Sequence, residues 1–144
     1  MYDAFIIARL NSSRLVRKNV MPILEIPMII HLANRIRNSQ KVDRVIITTS
    51  NESTDDELEE VSRDYGFECY RGPLDNLMQR ISDAAEHFES ENIIEILGDN
   101  PLVDPDLIVS SLNLFNDEKL SYVATMTKEY NFHKPKKCFP VGIR

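Results

Sequence analysis

Glycine is scarce in this 144-residue chain, with four in all. The first stands at position 66, so the loop after the opening apolar run, residues 9–22, contains none. That excludes both a Walker A loop and the glycine-rich dinucleotide fingerprint. Cysteine is rarer still: Cys69 and Cys138 lie far apart without metal-ligand spacing and read as free thiols of a reducing compartment. Long apolar runs are missing, and nothing approaches the roughly 20 residues that cross a bilayer. Asp3 and Arg9 interrupt the N-terminal run where a secretory leader needs an unbroken apolar core. Together these absences predict a cytoplasmic protein that makes no membrane contact. Cations are in the minority, 17 Lys plus Arg against 23 Asp plus Glu, for a formal charge of −6. General nucleic-acid binding, which calls for a basic face, is thereby disfavoured, but a local basic pocket for a small anion is not.

What is present is one domain's length of chain, 42% hydrophobic and 28% charged, enough to bury a core. The periodicity alternates in type. "AFIIA" (4–8) is a short continuous apolar run suited to a strand covered on both faces. Residues 27–37 turn helical, with Ile29, Leu32, Ala33 and Ile36 on one stripe. "RVIITTS" (44–50) is β-branched and reads as a second strand. In 53–66 Ser53 or Thr54 can cap a helix, acids fill its first turn and Gly66 ends it. A short strand at 67–70, a helix at 75–88 and a strand at 92–97 follow. A helix at 103–115 then carries Asp104 as N-cap and Pro105 in its first turn, before a strand at 121–126. Strand and helix alternate with short connections, which predicts an α/β sandwich around a mainly parallel sheet. Residues 1–126 form the domain so predicted. Residues 127–144 lose the pattern and turn basic, reading as an irregular tail or the opening of a C-terminal part.

Ligands of open α/β sheets bind beyond the carboxyl ends of the strands. Here those ends feed the loops 9–22, 50–54, 71–75 and 98–104. The first gathers Arg9, Arg14, Arg17 and Lys18 among Asn11, Ser12 and Ser13. Guanidinium forks and an ammonium can hold phosphate there, or the four can decorate a solvated loop. In the last, Asp99 follows an apolar strand, flanked by Gly98 and, two residues on, Pro101. It is placed either to hold Mg²⁺ or to satisfy the local backbone in an Asx turn. Asp104 and Asp106 read as helix cap and first-turn acid rather than ligands. His31, His87 and His133 have no nucleophile or metal partner nearby in sequence, which favours structural or surface roles. The serines lack a nucleophile elbow.

The run "IIARLNSSRLVRKNVMPILEIPMI" resembles the N-terminal signature of cytidylyltransferase-type sugar nucleotidyltransferases. These include the acylneuraminate and 3-deoxy-manno-octulosonate cytidylyltransferases and the SpsF-like spore-coat polysaccharide branch. The shared features are Ala8-Arg9, Ser12, Ser13, Arg14, Leu15, Lys18, Leu24 and Pro27. "VIITTSNESTDDEL" (45–58), "YRGPLDNLMQR" (70–80) and "LGDNPLVDPDLI" (97–108) follow in the family's order, and the SpsF-like branch fits best. The resemblance implies a three-layer α/β/α Rossmann-like sandwich and a nucleotidyl transfer in which a sugar hydroxyl attacks the α-phosphorus of CTP and expels pyrophosphate. It also implies a nucleotide site of Ala8, Arg9, Ser12, Ser13, Arg14, Lys18, Ser50, Asn51, Arg71 and Gly72. Arg14, Lys18 and Asp99 would be catalytic, with Asp99 holding Mg²⁺. The implied partners are CTP and a sugar acid or related sugar for surface polysaccharide, with oligomeric state open, a homodimer included. The family pattern places Pro-Gly between Leu15 and Lys18, where this chain has Val16-Arg17. A truncated nucleotide-binding module with little catalysis is the second reading. A glycosyltransferase-like protein using "DPD" (104–106) is the third.

Overall fold

The computed structural model describes residues 1–11 and 15–125, together with the backbone of 141–143. In chain order the elements are β1 (Tyr2–Ile7), β2 (Pro22–Ile23), β3 (Ile26–Pro27), α1 (Met28–Arg37), β4 (Arg44–Ser50), α2 (Asp56–Asp64), β5 (Glu68–Gly72), α3 (Leu77–His87), β6 (Asn92–Leu97), α4 (Pro105–Asp117), β7 (Val123–Ala124) and β8 (Val141–Ile143). Single 3₁₀ turns occupy Lys18–Val20 and Ser53–Asp55. Every strand and helix expected in the first 126 residues is there, most with shifted ends. The first strand begins two residues earlier than its apolar run, because Tyr2 and Asp3 pair with Asn92 and Ile93.

The main sheet runs in the order β5-β4-β1-β6-β8-β7. The first four strands are mutually parallel, while β8 is antiparallel to both of its neighbours. Side chains alternate across this sheet and divide the core in two. Ala4, Ile6, Val45, Ile47, Ile94 and Ile96 face one side, where α1, α4 and Leu58 of α2 cover them. Phe5 and Ile46 face the other, against Ile81 and Ala84 of α3. The result is the three-layer α/β/α sandwich, with one face covered, among the described residues, by α3.

The ends of the helices show what the backbone demands. Gly66 closes α2 in the left-handed conformation at φ 72°, its natural residue there. Glu89 after α3 and Lys119 after α4 take the same conformation with side chains attached, at φ 53° and 49°. Neither Ser53 nor Thr54 caps α2. The residue at its N-cap is Asp55, and its carboxylate turns inward instead of bonding the helix. Asp104 does cap α4, accepting from the amide of Asp106 at 3.0 Å.

Candidate functional site

The carboxyl ends of the parallel strands lie along one edge. Ile7 is level with Thr48 and Leu97, and Ser50 with Gly72. Two of the loops that leave this edge build a cleft. After β1, Ala8 still follows the sheet, donating its amide to Thr48 O at 3.0 Å. The chain then leaves the sheet and returns at Arg17, whose amide donates to Leu10 O at 2.9 Å. Arg17 has φ 61°, the left-handed conformation that a glycine adopts without strain. The loop therefore makes the turn suited to the glycine of the family pattern with an arginine in its place. The 3₁₀ turn that follows lays Lys18 and Asn19 back over the strand end, where Asn19 is buried and donates Nδ2 to Arg9 O at 3.0 Å.

After β6 the chain turns at once. Gly98 donates to Ile7 O at 2.8 Å, and a Cβ at this position would come within 2.9 Å of both Ala8 Cβ and that oxygen. Only glycine lets the two strand ends approach this closely. Further on, Arg35 of α1 donates Nε to Val103 O at 2.6 Å and fixes the far side of the turn. Between these anchors Asp99 projects outward and meets Lys18 Nζ at 2.8 Å from Oδ2. The two side chains are 22% and 41% exposed, so the ion pair spans the mouth of the cleft and stays open to water.

The cleft has a volume of about 420 Å³. Its polar lining is Arg9, Lys18, Asn19, Arg80 and Asp99, and its apolar lining includes Ile7, Leu74, Leu77 and Leu97. Of the residues expected from sequence, Ala8, Arg9, Lys18 and Asp99 meet there. Ser12, Ser13 and Arg14 lie outside the described residues. Ser50, Asn51, Arg71 and Gly72 sit beside the cleft and brace it instead of lining it. Asn51 donates its amide to Gly72 O at 2.8 Å. Arg71 gives Nε to Ser50 O, Nη1 to Glu59 and Nη2 to Glu52 O and Asp56, all within 3.1 Å. The hydrogen bond that it donates to Glu59 leads the causes that raise the pKa of this guanidinium, which is committed to α2 and the loop before it.

Three residues that sequence reasoning passed over matter here. Asn19 joins the lining from the position after Lys18. Asp55, 1% exposed, accepts from Leu10 N at 2.7 Å, Thr49 Oγ1 at 3.0 Å, Ser50 N at 3.2 Å and Ser50 Oγ. One carboxylate thus clamps the cationic loop, the end of β4 and the start of α2. Burial alone would push its pKa up, but the donors from Leu10, Ser50 and Thr49 outweigh it and hold the group below the ordinary carboxylate range. Arg80 is 4% exposed on the inner side of α3. Its signal was legible: a cation three residues after Leu77 and four before Ala84, within the apolar stripe.

The histidines take structural places. His31 has Nε2 2.7 Å from Ile23 O, and His87 packs against Tyr70 and Phe88. His133 lies outside the described residues.

Comparison with known proteins gives the family. Residues 4–139 match the family described as Cytidylyltransferase. The chain belongs to the cytidylyltransferase family. This cytidylyltransferase-family chain is 33% identical over 119 residues to the spore coat polysaccharide biosynthesis protein SpsF of Bacillus subtilis, covering 80% of this chain and 50% of that one. It is 36% identical over 106 residues to a 3-deoxy-manno-octulosonate cytidylyltransferase of Nitratiruptor, covering 70% of this chain and 42% of that one. Among solved structures, a cytidylyltransferase from Leptospira borgpetersenii superposes with a TM-score of 0.84 at 24% identity, covering 99% of this chain and 59% of the other. That likeness carries the fold. The chain spans about half the length of the curated relatives it matches.

Proposed function

We propose that this chain carries the nucleotide-binding part of an enzyme that transfers CMP from CTP to a sugar acid or related sugar. Pyrophosphate is released, and the product serves cell-surface polysaccharide assembly in the cytoplasm. The observation that carries the reading is the convergence of Arg9 and Lys18 with Asp99 in one cleft at the carboxyl edge of the sheet. The names of the relatives, a spore coat polysaccharide protein and a sugar-acid cytidylyltransferase, support the substrate class.

In this reading the triphosphate lies over the loop 9–22, and Arg9 and Lys18 neutralise its charge. Arg14, Ser12 and Ser13 belong to the same loop and are assigned to it from the family pattern. A sugar hydroxyl oxygen bonds to the α-phosphorus and the bond to the β-phosphate bridge breaks. Pyrophosphate leaves with the electron pair, and the hydroxyl proton passes to water. Such transfer depends on positioning and charge neutralisation rather than a nucleophilic triad, which suits a cleft of cations and one carboxylate. Among the described residues no three His, Cys, Asp or Glu side chains cluster for a metal. Asp99 alone offers a hard carboxylate in the cleft, and that donor set fits Mg²⁺, which takes one or two carboxylates beside phosphate oxygens and water. When bound, the ion would add positive charge beside the phosphates. Ser50 and Asn51 position the β4 end beside the ribose and base, and Arg71 and Gly72 shape the neighbouring turn.

The test is incubation of the protein with each nucleoside triphosphate, Mg²⁺ and candidate sugar acids, with pyrophosphate measured. CTP-dependent release that disappears in Asp99→Ala supports transfer. Binding of CTP without release supports a binding module. Failure to bind any nucleoside triphosphate sinks both.

A further inference from the structure

The least explained group in the cleft is Arg80. Its guanidinium sits in a residue only 4% exposed, and its Nε is buried without a hydrogen-bond partner. One bond is made, from Nη1 to Pro73 O at a long 3.3 Å. Among the described residues no carboxylate forms an ion pair with it, in contrast to Arg44 and Arg71. An arginine buried in this state is expensive, because its hydration is lost and, among the described residues, one long hydrogen bond only partly replaces it. The fold nevertheless makes room for it. Gly72 lies against the arginine stem, and a Cβ at that position would meet Arg80 Cγ at 2.8 Å. The side chain also opens onto the cleft that Arg9 and Lys18 share.

We propose that Arg80 is a ligand-binding residue, an inner-wall cation with no ion-pair partner among the described residues, so that an oxyanion of the nucleotide's phosphate chain completes it. Burial leads the causes that lower its pKa and the charge of Arg9 adds to them, together outweighing the opposite effect of the Asp55 carboxylate, and an incoming anion would offset both. The identity of the anion rests on the nucleotide reading above, while the need for one rests on Arg80 itself.

The test measures binding of inorganic tripolyphosphate, and separately of CTP, by calorimetry without metal, on wild type, Arg80→Met and Arg80→Lys. Arg80→Met is expected to bind tripolyphosphate about 10- to 100-fold more weakly, the size of a lost charge-assisted hydrogen bond. Its ligand-free unfolding temperature is expected at or above that of wild type, since an unpaired buried charge is replaced by an apolar chain. A merely structural arginine would lower that temperature. Arg80→Lys keeps charge and stem but loses the fork, and should fall between the two in affinity. It carries the test if the methionine variant does not fold. Unchanged tripolyphosphate affinity in either variant overturns the assignment, and leaves the transfer reaction standing if wild type binds CTP and releases pyrophosphate. Loss of CTP binding with tripolyphosphate binding intact also overturns it, moving the guanidinium to the base or ribose. A wild type that binds neither ligand overturns both readings.

Discussion

Replacing Asp55 tests whether one buried carboxylate holds the cationic loop in place. Oδ1 of Asp55 accepts from Leu10 N, while Oδ2 accepts from Thr49 Oγ1, Ser50 N and Ser50 Oγ. In Asp55→Asn one of the two oxygens becomes an NH₂ group. With the remaining oxygen turned to the three-donor side, the new amide faces the Leu10 N–H, so a buried donor loses its acceptor. A buried unsatisfied donor costs about 1–3 kcal/mol, and the lost charge assistance to the other donors brings the expected destabilisation to about 3 kcal/mol. At this chain length that corresponds to a fall of about 10 °C in unfolding temperature. Asp55→Ala strips every donor and should cost about 4 kcal/mol or more.

The pH dependence has a definite sign. The folded-state pKa of Asp55 lies below its ordinary value, so its stabilisation is present above the unfolded pKa, about 4, and is lost as pH falls further through the folded value. Urea unfolding of wild type and Asp55→Asn, followed by circular dichroism from pH 7 to pH 3, reads both effects. The gap between the two proteins should be widest at neutral pH and narrow towards pH 3. A gap under about 0.5 kcal/mol at pH 7, or one constant across the range, refutes the reasoning.

Other expectations follow from the same geometry. Gly98→Ala forces a Cβ to 2.9 Å from Ala8 Cβ and Ile7 O and should cost about 1–3 kcal/mol, with triphosphate affinity falling as the strand ends part. Denaturant midpoints and calorimetry check the two parts. Arg17→Gly releases about 1 kcal/mol of left-handed strain and gives up the exposed pair with Glu57 at 2.7 Å. Chemical denaturation should therefore show a change between zero and about 1 kcal/mol in the stabilising direction. The Cys69 thiol, pushed up to about 11 mainly by burial, should be alkylated about 100-fold more slowly at pH 8 in the folded than in the unfolded chain, read by peptide mass spectrometry.

The difference between what was legible in the sequence and what was not has a physical basis. Strands and helices write themselves in periodicity, so β4 and β6 matched their predicted bounds, and Asp104 with Pro105 marked the start of α4. The charges of Arg9, Lys18 and Asp99 stood out in the sequence because they directly follow apolar strands at the edge where α/β sheets bind ligands, and the structure brings the three to one cleft. The resemblance put the Arg71–Gly72 turn near ribose and base; the structure shows the Arg71 guanidinium bonded to Glu59, Asp56 and two carbonyls. Its partners lie 12 to 21 residues away, beyond the reach of local pattern. Asp55 was passed over for a related reason. A carboxylate among four acids at a helix start reads as a favourable charge on the helix dipole, and only the return of the loop to Leu10 turns it inward. Arg80 marks the opposite limit. Its position in the stripe of α3 was visible, but a cation there has the same spacing whether it snorkels to water or is sealed under a cleft wall. What separates the two is Gly72, eight residues earlier, whose missing side chain makes the space. A glycine level with the end of β4 and a cation in an apolar helical stripe can thus be read together, as a single signal of a buried ligand-facing charge.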